Sequence, residues 1–345
     1  MVRSRKTIFL SIGVAASTIF AALLLYGSFH HGTSAQAALA PELISALPMG
    51  AQSLVYIDLG AMRASPFYQQ RPDKGPIAIP NQDYADFIRS TGFDFEKDLD
   101  RVVMASWPGP SAKETKKAVV IAEGRFDRAK IREYALRKGK LDHQQGHEVF
   151  LFPSTVAGMP AGMNSITFLD GHRLALVSGP SIAPLFEHSG DPSSDPAGDP
   201  ARERAAHLDG AAAFMIVRVP PIPDNAGGAS MQGPASAQLM SLARSVQWVT
   251  LAARPEGDNL RISLEGESDN ATDAMQLKAA LELLRMFGRA GLENPNTTKS
   301  MPPATLAMLQ NLLTNAEVTQ AAERVRIRIQ IPPDVWRLNG RTKSQ

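Results

Sequence analysis

The segment GFDFEKDLDRVV, residues 92–103, carries acids at Asp94, Glu96, Asp98 and Asp100. Carboxylates at every second position can ligate calcium, move protons or simply face water. A calcium loop of the EF-hand type needs glycine at its sixth position and a bidentate Glu at its twelfth. Counted from Asp94, those positions hold Leu99 and Ala105, and the motif fails. Residues two apart on an extended chain share one face, here outward if Phe93, Phe95 and Leu99 point inward. The segment therefore reads as a solvated polar face leading into a strand, in preference to a convergent acid–base cluster.

Three further groups are weak candidates. Asp58 ends the apolar run SLVYIDL, where phosphatases and nucleotide enzymes often hold a metal; a turn or cap role is the plainer reading. His143 and His147 sit four apart, as zinc ligands on a helix do, but Gly146 lies between them. No neighbouring Glu of the HExxH kind is present and no third ligand is evident in the sequence, so a loop pair is favoured. Arg324, Arg326 and Arg328 alternate with Val325, Ile327 and Ile329, which puts three guanidinium groups on one strand face. That face suits phosphates, acidic glycans or an acidic partner, or is the wet side of a half-buried sheet. No GxSxG elbow, Walker A loop, GxGxxG turn or SxxK is present. No catalytic residue, metal site or cofactor is assigned, and the reading leans away from an enzyme.

The N-terminus carries the strongest signal. Arg3, Arg5 and Lys6 precede an uncharged run from Thr7 to Phe29, and no further Lys or Arg occurs until Arg63. The central nineteen residues, IFLSIGVAASTIFAALLLY, nearly span a bilayer core at ~1.5 Å each. Residues 1–37 are read as a signal anchor with the bulk of the chain extracytoplasmic, periplasmic or at the cell surface. Cleavage after Ala37, at Ala35-Gln36-Ala37, would instead give a secreted protein. The chain has no cysteine, so disulfides, thiolate sites and a lipoprotein anchor are excluded. Whole-chain charge is +2, from 36 basic and 34 acidic residues; removing the three basic residues of the leader leaves 33 against 34, or −1. No polyanion-binding excess remains, and nucleic acid is not expected as a partner.

At 345 residues the chain suits two domains. Strands are expected at Ser53–Leu59, Arg101–Trp107, Ala118–Glu123 and Glu148–Phe152, with a hairpin over Ile166–Leu169 and Arg173–Val177. Tyr84, Phe87 and Ile88 mark one face of a short helix that Gly92 stops. Asp127 can cap a helix from Arg128 to Lys138, with Gly139 at C′. Residues 188–207, rich in Gly, Pro, Ser and charge, read as a mobile linker. The second half reads as a block-by-block repeat of the first. GAQSLVYIDL from Gly50 lies over GAAAFMIVRV from Gly210, VMASWP from Val103 over TLAARP from Thr250, AEGRFD from Ala122 over LEGESD from Leu264, and GHRLALVSG from Gly171 over AERVRIRIQ from Ala322. Asp58 then corresponds to Arg218, and Asp98, Asp100 and Arg101 to Ser245, Gln247 and Trp248. A helix over about 270–289 is expected to face the core with Ala274, Leu277, Leu281, Leu284 and Phe287. The stretches from Val219 and from Gly291 read as long loops, suited to lids or binding.

Strands in close pairs with a helix after them favour antiparallel sheets over a parallel one. The expectation is an α+β protein with an N-terminal transmembrane helix and two related domains, 38–187 and 208–340, each a mainly antiparallel sheet with helices on one face. Gly92-Phe93-Asp94, Asp98-Leu99-Asp100-Arg101-Val102 and GRFDRAKIREYA from Gly124 together resemble a pattern in uncharacterised membrane-anchored bacterial envelope proteins. The resemblance implies an envelope protein and carries over no catalytic residue. The expected function is a non-enzymatic binding or scaffolding module, held to the membrane by its N-terminal helix, with an envelope protein or glycan as partner. An envelope hydrolase using Asp58 or the histidine pair, and a lipid or small-molecule carrier with an interdomain site, are the alternatives.

Overall fold

The computed structural model describes residues 41–71, 82–108, 117–153, 163–186, 198–220, 244–299 and 301–336. The expected anchor lies outside them, and among the described residues no helix is long and apolar enough to cross a membrane. Twelve strands are described: β1 Ser53–Asp58, β2 Leu99–Trp107, β3 Lys117–Gly124, β4 Lys140–Gln144, β5 His147–Pro153, β6 Met163–Phe168, β7 Arg173–Ser178, β8 Ala213–Arg218, β9 Val246–Glu256, β10 Asn259–Ser268, β11 Glu317–Ala321 and β12 Arg324–Ile331. The helices are α1 Pro41–Ser45, α2 Leu59–Ala64, α3 Pro66–Gln69, α4 Gln82–Thr91, α5 Phe95–Asp98, α6 Arg128–Lys138, α7 Pro200–Ala206, α8 Ala271–Glu293, α9 Pro295–Thr298 and α10 Pro303–Asn315. The class is α+β with antiparallel pairing, as the paired strand signals implied.

The chain forms two compact units. Described residues of the first fall within 40–64 and 74–203, and those of the second within 65–73 and 204–345. The short segment 65–73 thus belongs with the second unit, against the continuous first domain expected over 38–187. Its reason is aromatic: Phe67 and Tyr68 pack on Trp336 at 5.0 and 5.5 Å between ring centroids, and Trp336 Nε1 donates to the Phe67 carbonyl at 3.0 Å.

In the first unit the strand order is β1-β2-β3-β7-β6-β5-β4. Alternation gives the ladder two distinct faces. Leu54, Val103, Ala105, Val119, Ile121, Ala175 and Val177 share one, all at most 2% exposed. That face ends in a charged row, Asp58 opposite Arg101, Arg101 opposite Glu123 and Glu123 opposite Arg173. The other face carries Ala122, Leu174, Leu176, Ile166 and Phe150, and it meets α6.

The caps around α6 fit their sequence signals with one change of mechanism. Asp127 accepts from the Lys130 amide at 3.1 Å, as a helix N-cap should. Gly139 is not left-handed; it is extended at φ −132, and its amide donates to the Ala135 carbonyl at 2.8 Å. Glycine is required there by proximity, since a Cβ would lie 2.6 Å from the Leu151 carbonyl oxygen. The expected linker also needs correction. Pro200–Ala206 is helical because Asp199, 1% exposed, accepts from the Ala201 amide at 3.1 Å.

In the second unit the order is β11-β12-β10-β9-β8. Leu260, Ile262 and Leu264 lie on one face beside Ile331, Ile329 and Ile327, and the arginines of β12 lie on the other. Helix α8 is capped by Asn270, which accepts from the Asp273 amide at 2.9 Å. Two of its five expected inward residues are exposed. Ala274 is buried, while Leu284 and Phe287 are 49% and 64% exposed. The periodicity continues past the sheet that would cover it, so the distal turns lean on α10 instead. The stretch from Gly291, expected as a loop, is largely the end of α8, then α9 and the start of α10. Most of the stretch from Val219 lies outside the described residues.

The tightest backbone approach supplies a test. A Cβ at Gly124 would stand 2.3 Å from the Asp98 carbonyl oxygen, whereas one at Gly171 would meet nothing within 4 Å. Gly124→Ala should cost about 1–3 kcal/mol of unfolding free energy and Gly171→Ala less than about 0.5 kcal/mol. Urea melts of both variants check this; equal stabilities would show that the β3 end relaxes freely.

Candidate functional site

The acidic segment is a structural junction. Residues 95–98 form one helical turn, so the acids do not share an extended outward face as expected. Asp94 caps the turn, accepting from the Glu96 amide at 3.0 Å, and Glu96 is buried. The Asp98 carboxylate accepts from the Asp94 amide at 2.9 Å. Asp100 pairs with Arg63 at 2.6 Å and with Arg125 at 3.1 Å. Arg63 also donates to the Leu99 carbonyl at 2.7 Å. With these acids so engaged, the segment pins α2 and α5 to the start of β2.

Asp58 is 7% exposed and caps α2, accepting from the Ala61 amide at 2.7 Å. Arg101 Nε stands 3.8 Å from its second oxygen. Burial pushes its carboxyl above the ordinary range, against the opposing pull of the Ala61 amide, Arg101 and Arg63. His143 and His147 are on adjacent strands of the β4–β5 hairpin, turned by Gln145 and Gly146 at φ +50 and +82. They are not cross-strand partners. His143 faces Glu148, whose carboxylate is held by Arg132 at 2.8 Å, and His147 stacks on Phe186 at 5.3 Å. Among the described residues no group of three or more His, Asp or Glu is placed to hold a metal ion.

Arg324, Arg326 and Arg328 share the face expected. Arg324 pairs with Glu267 at 3.2 Å and Arg326 with Glu265 at 2.5 Å. Arg328 has no ion pair among the described residues. The row is thus two-thirds neutralised.

The first unit holds a feature with the dimensions of a ligand site. A cavity of about 580 Å³ lies between its sheet and helices α4 and α6. Its floor is Ala122 on β3, Leu174 and Leu176 on β7, Ile166 and Asn164 on β6, and Phe150 and Phe152 on β5. Phe87, Phe93, Phe126, Ile131, Tyr134, Ala135 and Lys138 line the remainder, with Leu99 and Pro153. The rings brace one another: Phe93 stacks on Phe126 at 5.1 Å, and Phe87 meets Tyr134 edge-on at 5.3 Å. Ligand sites commonly enclose ~300–1,000 Å³ with mostly apolar walls and a few polar groups. Here the polar groups are the Asn164 amide, the Tyr134 phenol and the Lys138 amine. Among the described residues no carboxylate, imidazole or aliphatic hydroxyl lines the cavity, so these walls offer dispersion and an orienting amide. None of the residues singled out for chemistry in the sequence belongs to it. The signal that could have found it is the clustering of six phenylalanines from Phe87 to Phe152, five of which line the cavity, on elements that bury the opposite face with small side chains.

No protein-family model and no curated protein matches this chain. Among solved structures it is similar to crystal form III of TP0453, at 11% identity and a TM-score of 0.43 over 84% of this chain and 94% of that one. Crystal form IV of TP0453 gives 11% identity and a TM-score of 0.42 over 88% and 99% of the two chains. Likenesses at this level carry no inference about activity.

Asp58 can be tested through linkage. A carboxyl raised above 3.8 in the folded chain favours the fold below that pH, and this contribution is lost as pH rises through the folded value. Asp58→Asn keeps an oxygen for the Ala61 amide and removes the titration. The stability of the wild type minus that of the variant should therefore fall as pH rises above 3.8. Denaturant melts across the acid range would read it. A difference that grew with pH would mean that Arg101 and Arg63 outweigh burial.

Proposed function

We propose that this chain is a non-enzymatic binding protein of the bacterial envelope, tethered to the membrane by residues 1–37, and that its first unit takes an apolar ligand such as an acyl chain. The cavity of about 580 Å³ carries this reading. Its walls reward burial of a hydrocarbon at ~25 cal/mol per Å², and Asn164 and Lys138 can hold a polar end. The carrier site expected between domains is thereby relocated to the interior of one unit. The uncharged run Thr7–Phe29 supports the tether.

We further infer that the two units arose by duplication. Each uses the same strand succession, β1-β2-β3-β7 in one and β8-β9-β10-β12 in the other. Gly50 and Gly210 enter their first strands at φ +73 and +77. The ladder row Asp58, Arg101, Glu123, Arg173 has its counterpart in Arg218, Trp248, Glu267, Arg324. Three of the four sequence blocks agree with this register. The block pairing Glu123 with Glu265 needs a shift of two residues, to Glu267.

A second reading rests on α8 and α10. In α8 the buried residue is Ala274, and α10 has none. Met275, Leu283, Met286 and Phe287 are each at least half exposed. An apolar hairpin of this kind suits contact with the bilayer that the tether keeps near, in the manner of an interfacial helix.

A chain starting at Ala38 should bind a fluorescent fatty acid, and Ala122→Phe, which fills the cavity floor, should weaken that binding about tenfold or more with the melting temperature retained. Unchanged affinity in Ala122→Phe would remove the cavity from the ligand reading. Separately, Met286→Asp with Phe287→Asp should lower sedimentation with phosphatidylcholine vesicles while leaving fatty-acid binding intact; equal sedimentation would remove the second reading.

A further inference from the structure

The arginine face of the second unit contains an electrostatic conflict that the fold does not resolve by itself. Arg254 on β9 and Arg261 on β10 are direct cross-strand partners. Like charges placed opposite one another in a ladder destabilise it. Arg328 on β12 lies opposite Ser263, one pleat from Arg261 on the same face, and Arg326 lies opposite Glu265. Together they line a concavity of about 130 Å³ that also presents the hydroxyls of Thr250 and Ser263.

The available acids do not neutralise this set. Arg261 pairs with Glu256 at 2.6 Å and Arg326 with Glu265 at 2.5 Å. Arg254 bonds the neutral Asp209 carbonyl. Arg328 has Glu317 as its β11 partner, yet no carboxylate among the described residues lies within 4.0 Å of it. Four guanidinium groups against two carboxylates leave two positive charges at one small concavity. A concavity of about 130 Å³ has room for a small polyatomic anion with several oxygens. Guanidinium groups approaching from three strands, with two hydroxyls, exceed what one planar carboxylate needs and match the several acceptors of a phosphate.

We propose that this concavity binds a phosphate group, with Arg254 and Arg328 supplying the uncompensated charge and Arg261, Thr250 and Ser263 supplying further donors. The phosphate can be free or carried on a lipid headgroup; the recognising chemistry is the same. This site is independent of the apolar cavity in the first unit.

The test uses the full chain in phosphatidylcholine nanodiscs, with inorganic phosphate as the probe. Phosphate should raise the melting temperature above that in chloride of equal ionic strength. Arg328→Gln and Arg254→Gln should each weaken phosphate binding, read by titration calorimetry, about tenfold or more. Arg328→Lys, which keeps the charge and loses the fork, should fall between. Without phosphate, Arg254→Gln should melt at or above the wild-type temperature, because the opposed pair is relieved. A purely structural arginine would lower it. Nanodiscs containing phosphatidic acid assign the source: loss of the phosphate-induced shift there means that a headgroup occupies the site, and an undiminished shift means a soluble phosphate. Equal effects of phosphate and chloride, or wild-type phosphate affinity in both glutamine variants, would overturn the proposal.

Discussion

The register of the antiparallel ladder governs the first unit. Its side chains alternate with a period of two, so a slip of one residue would exchange the two faces along a whole strand. The row Asp58, Arg101, Glu123 and Arg173 holds the register at one end, because opposite charges meet across each pair of strands. Arg101 is central, within 3.4 Å of Glu123 and 3.8 Å of Asp58. A slip would place Val103 and Ile121, both 0% exposed, on the wrong side and bring a charge to their positions. The two ion pairs of Arg101, at 3.4 and 3.8 Å, are too long to add much attraction by themselves. Their placement matters more as a penalty on wrong registers than as a sum of attractions.

The cavity follows from how that alternation is filled. On one face small and branched residues such as Ala105, Val119, Ala175 and Val177 pack to near-complete burial. On the other, β7 and β6 separate Phe150 and Phe152 on β5 from Ala122 on β3, and the rings above pack on one another as well as on Phe150 and Phe168. Helix α6 cannot close the gap by sliding, since Gly139 already brings its end against the Leu151 carbonyl. Tight backbone contact at the helix end and wide rings along its length leave unfilled space between them. A core without a ligand role would recover dispersion by filling it.

Much of this was legible in the sequence where the determinant is local. The alternation of β12, the cap at Asp127 and the β6–β7 hairpin depend on neighbours a few residues away, and the structure keeps them. The acidic segment was misread because a single capping residue, Asp94, turns an apparent two-residue alternation into a helical turn. The inward face of α8 was misread at Leu284 and Phe287 because periodicity tells which residues align, and not how far the covering sheet extends. The segment at Phe67 and Tyr68 was assigned to the wrong half because its partner, Trp336, is remote in sequence. The enclosure of the cavity depends on remote neighbours in the same way, since its walls come from five strands and two helices, and the phenylalanine cluster alone marked it in the sequence. Pairing of Arg324 and Arg326 was hidden because Glu265 and Glu267 lie on a different strand.

The two units solve the same edge of the ladder with different chemistry. In the first, each position of the row is charged and alternates in sign. In the second, the β9 position opposite Arg218 and Glu267 holds Trp248, and Arg204 lies 4.4 Å over the Trp248 ring while bonding Glu267. That exchange commits Glu267 to two cations, Arg204 and Arg324. Glu265 is likewise shared between Arg326 and, at 3.9 Å, Arg324. Glu256, Glu265 and Glu267 are therefore engaged by other arginines, and Glu317, the cross-strand partner of Arg328, makes no ion pair with it. The excess charge is a consequence of the row's composition, and it sits where the face is concave, whereas the concavity of the first unit is lined mostly by apolar side chains. Stability of the second sheet should accordingly respond to anions, and that of the first to apolar ligands, a separation that a single shared binding site could not produce.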